Sequence, residues 1–314
     1  MEFLIQPGDK TYEISQLVTA VSYTDKLNNG CGKLEFTLIN DSLYIQNSSI
    51  VQFKYNDTNI FYGYVFKHER KRDGKITVTA YDKLRYCKAK DSINVINNTA
   101  TDLVKRMCTY FGLRQGILTD TGYTLPTNVY DGNTWLDIVY SGITKTLENK
   151  GEWYVLRDEF GAISLRNITE LKTDLVLGDQ SLCYDYTYSK SIDDEFYNQV
   201  KLLVKGDDKS PSQFVGKTDN DSIKKYGMLQ YYDEIDKSKF NLSQAKAMAS
   251  ALLGLYNQEK ETLDLECIGD TKIRAGSSFY VHIGAAGFSN KRLIVKEVTH
   301  KFVPNHTMSL EVSL

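Results

Sequence analysis

The sequence predicts a mainly β chain with an α+β middle: two barrel-like β domains, residues 1–90 and 175–314, bracketing a helix-containing domain over 91–174. Three observations carry this reading. Both ends alternate apolar and polar residues with period two, as half-buried strands do. The middle steps its apolar residues by three and four, the helical period. Tyr is abundant at 22 where Pro is scarce at 4. Tyrosine favours strands and is enriched in the desolvated cores of interfaces. A compositional bias shared with Asn, Lys, Ile and Asp would account for it equally well.

In residues 1–90, Leu34, Phe36 and Leu38 alternate with Lys33, Glu35 and Thr37, and Val51, Phe53 and Tyr55 alternate again. The stretch from Asp25 to Gly32 reads as a loop. Phe61 to Lys67 is β-branched and aromatic, Arg70 to Gly74 is a polar turn, and Ile76, Val78 and Ala80 alternate with Thr77 and Thr79, so the three together read as a hairpin. Five or six short strands result. A small closed barrel or sandwich suits them, because closure removes exposed strand edges.

In residues 91–174, Ala100, Leu103, Val104, Met107, Cys108 and Phe111 share one helical face after Thr99. Thr99 with Asp102 makes an N-terminal cap pattern, and Gly112 is placed to end the helix. A second helix starts at Thr134, buries Trp135, Ile138, Val139, Gly142, Ile143, Thr146 and Leu147, and stops at Gly151. Trp153 to Leu156 and Ala162 to Leu165 flank a turn and form a hairpin that could cover the helix pair. Trp135 and Trp153 are expected in the core.

In residues 175–314, Tyr184, Tyr186 and Tyr188 alternate with Asp185, Thr187 and Ser189, and Gln199 to Lys205 is a strong strand. Gly206 to Asn220 is polar and expected to be a loop. One inserted helix follows, capped by Asn241, with Leu242, Ala245, Met248, Ala249, Leu252 and Tyr256 on one face. At least four strands close the chain, near 261–267, 278–283, 291–302 and 307–314. The two β-rich ends share no clear sequence repeat.

At 314 residues, the chain has room for two to three domains, and 41% hydrophobic with 25% charged residues supports an ordinary core. A net charge of −2, from 38 basic and 40 acidic side chains, argues against nucleic-acid binding and makes no case for an anionic membrane surface. Five cysteines, at 31, 87, 108, 183 and 267, contain no CxxC pair. Reduced thiols are the simpler expectation, with Cys108 a small core residue. Met1 to Ile5 lacks the charge and length of a signal peptide. No apolar run approaches the roughly 20 residues of a membrane span, so no membrane anchor is expected.

No constellation of side chains points to catalysis. His68, His282, His300 and His306 form no metal-ligand spacing. The adjacent acids Asp193/Asp194 and Asp207/Asp208 read as solvated turn residues; an acid/base pair would come from separate elements across a cleft. Gly284 to Gly287 lacks the Lys-Ser/Thr of a phosphate cradle. The run from Lys67 to Lys75 holds five Lys/Arg, but Glu69 and Asp73 interleave them, as on a solvated hairpin tip. The expected catalytic, cofactor-binding and metal residues are therefore none.

The stretch from Ile60 to Asp91 contains Tyr62-Gly63-Tyr64-Val65 and, from Ile76, Ile-Thr-Val-Thr-Ala-Tyr-Asp-Lys-Leu-Arg-Tyr. It resembles a passage of baseplate hub proteins from contractile phage tails, PBSX-type defective prophages and R-type tailocins. Further stretches resemble the family in order: Asn98 to Val104, Gly151 to Ile168, Ser191 to Asp194 with Tyr197 to Leu202, Lys225 to Gln230, Arg274 to Ser278, and Val298 to Phe302. They span nearly the whole chain.

The resemblance implies a phage tail hub fold and a structural, non-enzymatic role. A homotrimer would alternate two barrel-like domains per subunit around its axis, and so join a hexameric tail tube to a trimeric central spike. Tail tube protein, spike protein and other baseplate or tape-measure proteins would be its partners. Assembly would take place in the bacterial cytoplasm, followed by release in the phage or tailocin particle. Two competitors remain: a tail-associated peptidoglycan hydrolase, for which the chain to Leu314 shows no added domain, and a carbohydrate-binding tail module that stacks sugars on tyrosines.

Overall fold

Strands from both ends of the chain share one sheet. The first segment supplies β1 (Glu2–Gln6), β2 (Tyr12–Glu13), β3 (Val18–Lys26), β4 (Lys33–Ile39), β5 (Ile50–Tyr55), β6 (Thr58–Arg70) and β7 (Lys75–Tyr81). The middle supplies β8 (Lys90–Val95), α1 (Ala100–Tyr110), β9 (Gln115–Leu118), β10 (Asn128–Thr134), α2 (Trp135–Lys150), β11 (Tyr154–Asp158) and β12 (Ile163–Asn167). After β13 (Lys172–Gly178) and β14 (Cys183–Ser191) come β15 (Gln199–Lys205), β16 (Gln213–Thr218), α3 (Asn220–Tyr226), β17 (Gln230–Asp236) and α4 (Leu242–Tyr256). The chain closes with β18 (Lys260–Ile268), β19 (Ser278–Ile283), β20 (Phe288–Lys301) and β21 (Thr307–Ser313). The computed structural model describes residues 1–39, 43–206, 211–236 and 241–314. Two compact units are present: Met1–Thr187 with Leu263–Leu314, and Tyr188–Thr262.

In the larger unit the sheet order is β14-β18-β21-β20-β3-β4-β7-β6-β5-β1-β2, with β19 pairing β20 and β13 pairing β19. The pivotal pairing is β3 with β20, antiparallel from Glu297↔Lys26 to Lys301↔Ser22. The mainly β class with a helix-bearing middle is as the sequence predicts, but the sheets do not close into barrels. The reason is physical. Strand edges must be paired or protected, and each end of the chain pairs with the other instead of curling back on itself.

Alternation fixes which face is buried. Leu34, Phe36 and Leu38 of β4 and Ile76, Val78 and Ala80 of β7 point into one core with Phe3, Phe53 and Phe61. Phe302, just past β20, belongs to the same core, with its ring 4.9 Å from that of Phe53. A second core lies in the middle segment. Leu103, Val104 and Met107 of α1 face Trp135, Ile138 and Val139 of α2, under Leu156, Ile163 and Leu165 of the β11–β12 hairpin. Both helix starts are as expected. Thr99 and Asp102 cap each other's backbone reciprocally, Thr134 caps α2, and Gly151 ends α2 at φ +68°. Trp135 is buried, whereas Trp153 is half-buried.

The smaller unit centres on β15, which is antiparallel to β16 and parallel to β17. Ala245, Ala249 and Leu253 of α4 bury against Val200, Leu202 and Val215. The expected loop from Gly206 to Asn220 instead holds β16, whose Val215 pairs with Leu202. Its one buried apolar residue was too sparse a signal for a strand. The polar residues that suggested a loop cap α3: the Asp219 side chain accepts from the Asp221 and Ser222 amides.

Gly63, within the Tyr-Gly-Tyr-Val stretch, shows why a glycine stands there. A Cβ at that position would lie 2.2 Å from the Tyr81 carbonyl oxygen and 2.5 Å from the Phe61 ring. Tyr81 is held by the β6–β7 ladder, and Phe61 pairs with Phe53 of β5 with its ring buried in the core, so neither can give way. Gly63→Ala should therefore lower unfolding free energy by about 2–3 kcal/mol, read from the denaturant midpoint at unchanged slope. A loss under about 0.5 kcal/mol would contradict the close approach.

Candidate functional site

The candidates weighed from sequence do not assemble into a reactive site. Among the described residues, no three His, Cys, Asp or Glu side chains lie together as metal ligands. His68 contacts Asn47 Oδ1 at 3.3 Å, and His282 lies on β19. His300 and His306 do meet, with 3.0 Å between His300 Nδ1 and His306 Nε2; His300 Nε2 lies 2.8 Å from the Ile273 carbonyl oxygen. A carbonyl only accepts, so His300 donates from Nε2 and, when neutral, accepts from His306. Burial pushes His300 down to about 4. Asp193 and Asp194 are exposed; Asp207 and Asp208 lie outside the described residues. On the basic hairpin, Lys67 pairs with Glu69 at 2.6 Å, Lys75 with Asp73 at 3.4 Å, and Arg70 donates to the Leu43 carbonyl. Its charge is largely spent locally.

The resembling stretches converge instead on a buried polar junction. Arg274 is its centre: Nε donates to Asp25 Oδ2 at 2.8 Å, Nη2 to the Tyr23 hydroxyl at 2.8 Å, and Nη1 to the Asp158 carbonyl oxygen at 3.0 Å. Thus β3, β11 and the turn before β19 are tied by one guanidinium. Asp82, after β7, accepts from the Gly32 amide at 2.6 Å and the Leu84 amide at 3.0 Å. A Cβ on Gly32 would stand 2.7 Å from Asp82 Oδ2, so only glycine lets that carboxylate approach. The Asp158 side chain accepts from the Lys83 and Gly161 amides. Asn28 adds a clip: its side chain donates to the Tyr154 carbonyl and accepts from the Leu156 amide.

The electrostatics are those of a desolvated cluster. Burial opposes the Arg274 charge, but Asp25 and Tyr23 outweigh it and hold the guanidinium above its ordinary value. Burial, reinforced by Asp158, raises Asp82 well above the usual carboxylate range. Burial also pushes Asp158 up to about 6 against its two amide bonds. Arg157 is brought down to about 10 by burial and by the Arg274 charge. It meets Glu159 at 3.3 Å, although its Nε and Nη1 make no hydrogen bond. Tyr23 and Arg274 also border a small pocket with Ile60, His300 and Phe302, and the hydrogen bonds of Arg274 tie three segments together. Sequence reading had quoted Asp82 and Arg274 without a role. Tyr23 and Asp158 gave no sign of one, because their partners are distant in the chain.

The larger unit also carries an open groove of about 430 Å³, walled by Tyr140, Ile143, Leu147 and Trp153 and edged by Lys26 and Lys296. It explains why Trp153 is only half-buried, and it offers an apolar floor with a charged rim.

The YqbQ-like family model matches residues 21–313. The chain belongs to the YqbQ-like family. Its relatives in Bacillus subtilis (strain 168) include the uncharacterized protein YqbQ, 28% identical, and the phage-like element PBSX protein XkdQ, 25% identical. Each aligns over 274 residues, 85% of this chain and 82% of the relative. The fold of this YqbQ-like chain is similar to that of the prophage MuSo2 43 kDa tail protein from Shewanella oneidensis, with TM-score 0.68, 14% identity, and 100% and 98% of the two chains covered. It is also similar to the E. coli c3393 protein, a component of the type VI secretion system described as structurally similar to the T4 tail proteins gp27 and gp5. There the TM-score is 0.56 and the identity 11%, over 94% of this chain and 73% of that one. Its family is YqbQ-like, and its fold is similar to that of a phage tail protein.

The junction sets a pH dependence. The folded chain keeps the Asp158 proton up to about pH 6, whereas the unfolded chain releases it near 3.8. This contribution to stability is complete below the unfolded value and is lost as pH rises to about 6. His300 acts oppositely, losing stability as pH falls from 6.5 to about 4, so the wild-type profile alone mixes the two. The difference in unfolding free energy, wild type minus Asp158→Asn, should fall by about 2 kcal/mol between pH 4 and 6. A difference that stays level or rises would contradict the assignment.

Proposed function

We propose that this chain is the structural baseplate hub of a contractile injection particle. Three copies form a ring that adapts a hexameric tail tube to a trimeric spike. The observation that carries the reading is the likeness to a phage tail protein over all of this chain and 98% of the other, combined with family membership over residues 21–313. The β-rich segments 1–90 and 175–314 supply two β elements per subunit, and three subunits then present six to the tube. Segment 91–174 sits at the periphery or toward the spike. A shared sheet through β3 and β20 suits a load-carrying joint, because pulling on either end loads the same hydrogen-bond ladder.

The ring closes heterologously, so one face of each subunit meets a different face of the next. Such joints typically bury more than about 2,000 Å². The role is structural, a reading supported by the likeness to a phage tail protein. Partners are tail tube, spike and other baseplate or tape-measure proteins. Assembly takes place in the bacterial cytoplasm and release occurs with the particle. A cryo-EM map of the released particle should contain three copies at the junction of tube and spike. One copy or six would overturn the proposal.

A further inference from the structure

The chain leaves the larger unit along β14 and returns to it along β18, and two cysteines stand opposite each other on these strands. β14 and β18 are neighbours in the sheet. The Ile268 amide donates to the Leu182 carbonyl at 2.8 Å, and the Tyr184 hydroxyl reaches Glu266 Oε2 at 3.4 Å. As the numbers rise on one strand and fall on the other, the pairing is antiparallel and Cys183 faces Cys267. Because the adjacent pair carries a ladder bond, the cysteines occupy the next, non-hydrogen-bonded position. Cα atoms there lie about 4.5 Å apart, inside the roughly 4.4–6.8 Å that a disulfide spans. Cys183 Sγ donates to the Asp185 carbonyl at 3.1 Å. Both are free thiols; Cys183 is half-buried and Cys267 fully buried.

We propose that Cys183 and Cys267 form an oxidation site, at which a small-molecule disulfide oxidant converts the pair to an intrachain disulfide tying β14 to β18. The Cys183 thiolate attacks the oxidant's sulfur–sulfur bond, forms a mixed disulfide and expels one thiolate. Cys267 then loses its proton to solvent and attacks the Cys183 sulfur, expelling the second. Two protein thiols are oxidised and one oxidant disulfide is reduced to two thiols. Order of attack follows from environment: Cys183 reaches solvent and its thiol is held below the ordinary value by the neighbouring Cys267, while Cys183 and burial raise Cys267. Cys31, Cys87 and Cys108 lie on no strand and have no such cross-strand partner. The disulfide closes the loop that contains the whole of Tyr188–Thr262, and load on that insertion can no longer peel its two root strands apart. This chemistry does not depend on the hub assignment.

The test treats the native full-length chain with oxidised glutathione, counts thiols after acid quench and denaturation, and maps non-reduced peptides. Two of the five thiols should be lost, with one Cys183–Cys267 linked peptide and no retained glutathione. Cys183→Ser should lose no thiol. Cys267→Ala, which keeps the buried face apolar, should stall with one glutathione on Cys183. Wild-type protein that keeps all its thiols, retains glutathione on Cys183, or links any other pair would overturn the proposal.

Discussion

The larger unit depends on one buried cation. Arg274 touches the N-terminal strands, the middle hairpin and the C-terminal turn through hydrogen bonds made at the same time, to Tyr23 and Asp25, to Asp158, and from its own backbone position before β19. Taking a guanidinium out of water costs several kcal/mol, and this is offset only when the geometry and every remaining donor are satisfied. The charge therefore fixes a single arrangement of three segments that apolar contact alone would allow to slide. Asp82 and Asn28 act in the same sense at lower stakes, holding the Asp25–Gly32 loop against the hairpin through backbone amides.

Much of the fold was legible because it is local. Thr99 with Asp102 and Thr134 with Gly151 announce helix ends through side-chain chemistry within a few residues. Ile76, Val78 and Ala80 announce a buried strand face through period two. What was not legible is non-local. Nothing in Val18–Lys26 or Phe288–Lys301 says that these strands pair, so two closed barrels were the natural expectation and one shared sheet is the finding. β16 was missed because Val215 alone among its residues is buried. The junction could not be read from the sequence, since Arg274 and Asp25 are separated by 249 positions.

These features suit a protein whose work is to hold. The family is YqbQ-like and the fold is similar to that of a phage tail protein, and the charged groups of the larger unit's interior are spent on rigidity. A sheet continuous from end to end and an arginine that locks its segments would let force pass through one covalent chain without separating its parts. The Cys183–Cys267 pair extends that logic to the base of the 188–262 insertion, at the β14–β18 end of the long sheet, which the arginine does not touch.

The most direct measurement is native-state hydrogen exchange on wild type and Arg274→Met, following amides in β3, β11 and β19. If the guanidinium ties these segments into one unit, the three should open at a common free energy in the wild type. In the variant all three should fall together by about 3–5 kcal/mol, the cost of leaving a buried charge unpaired. A fall confined to β19, with β3 and β11 unchanged, would contradict the shared junction.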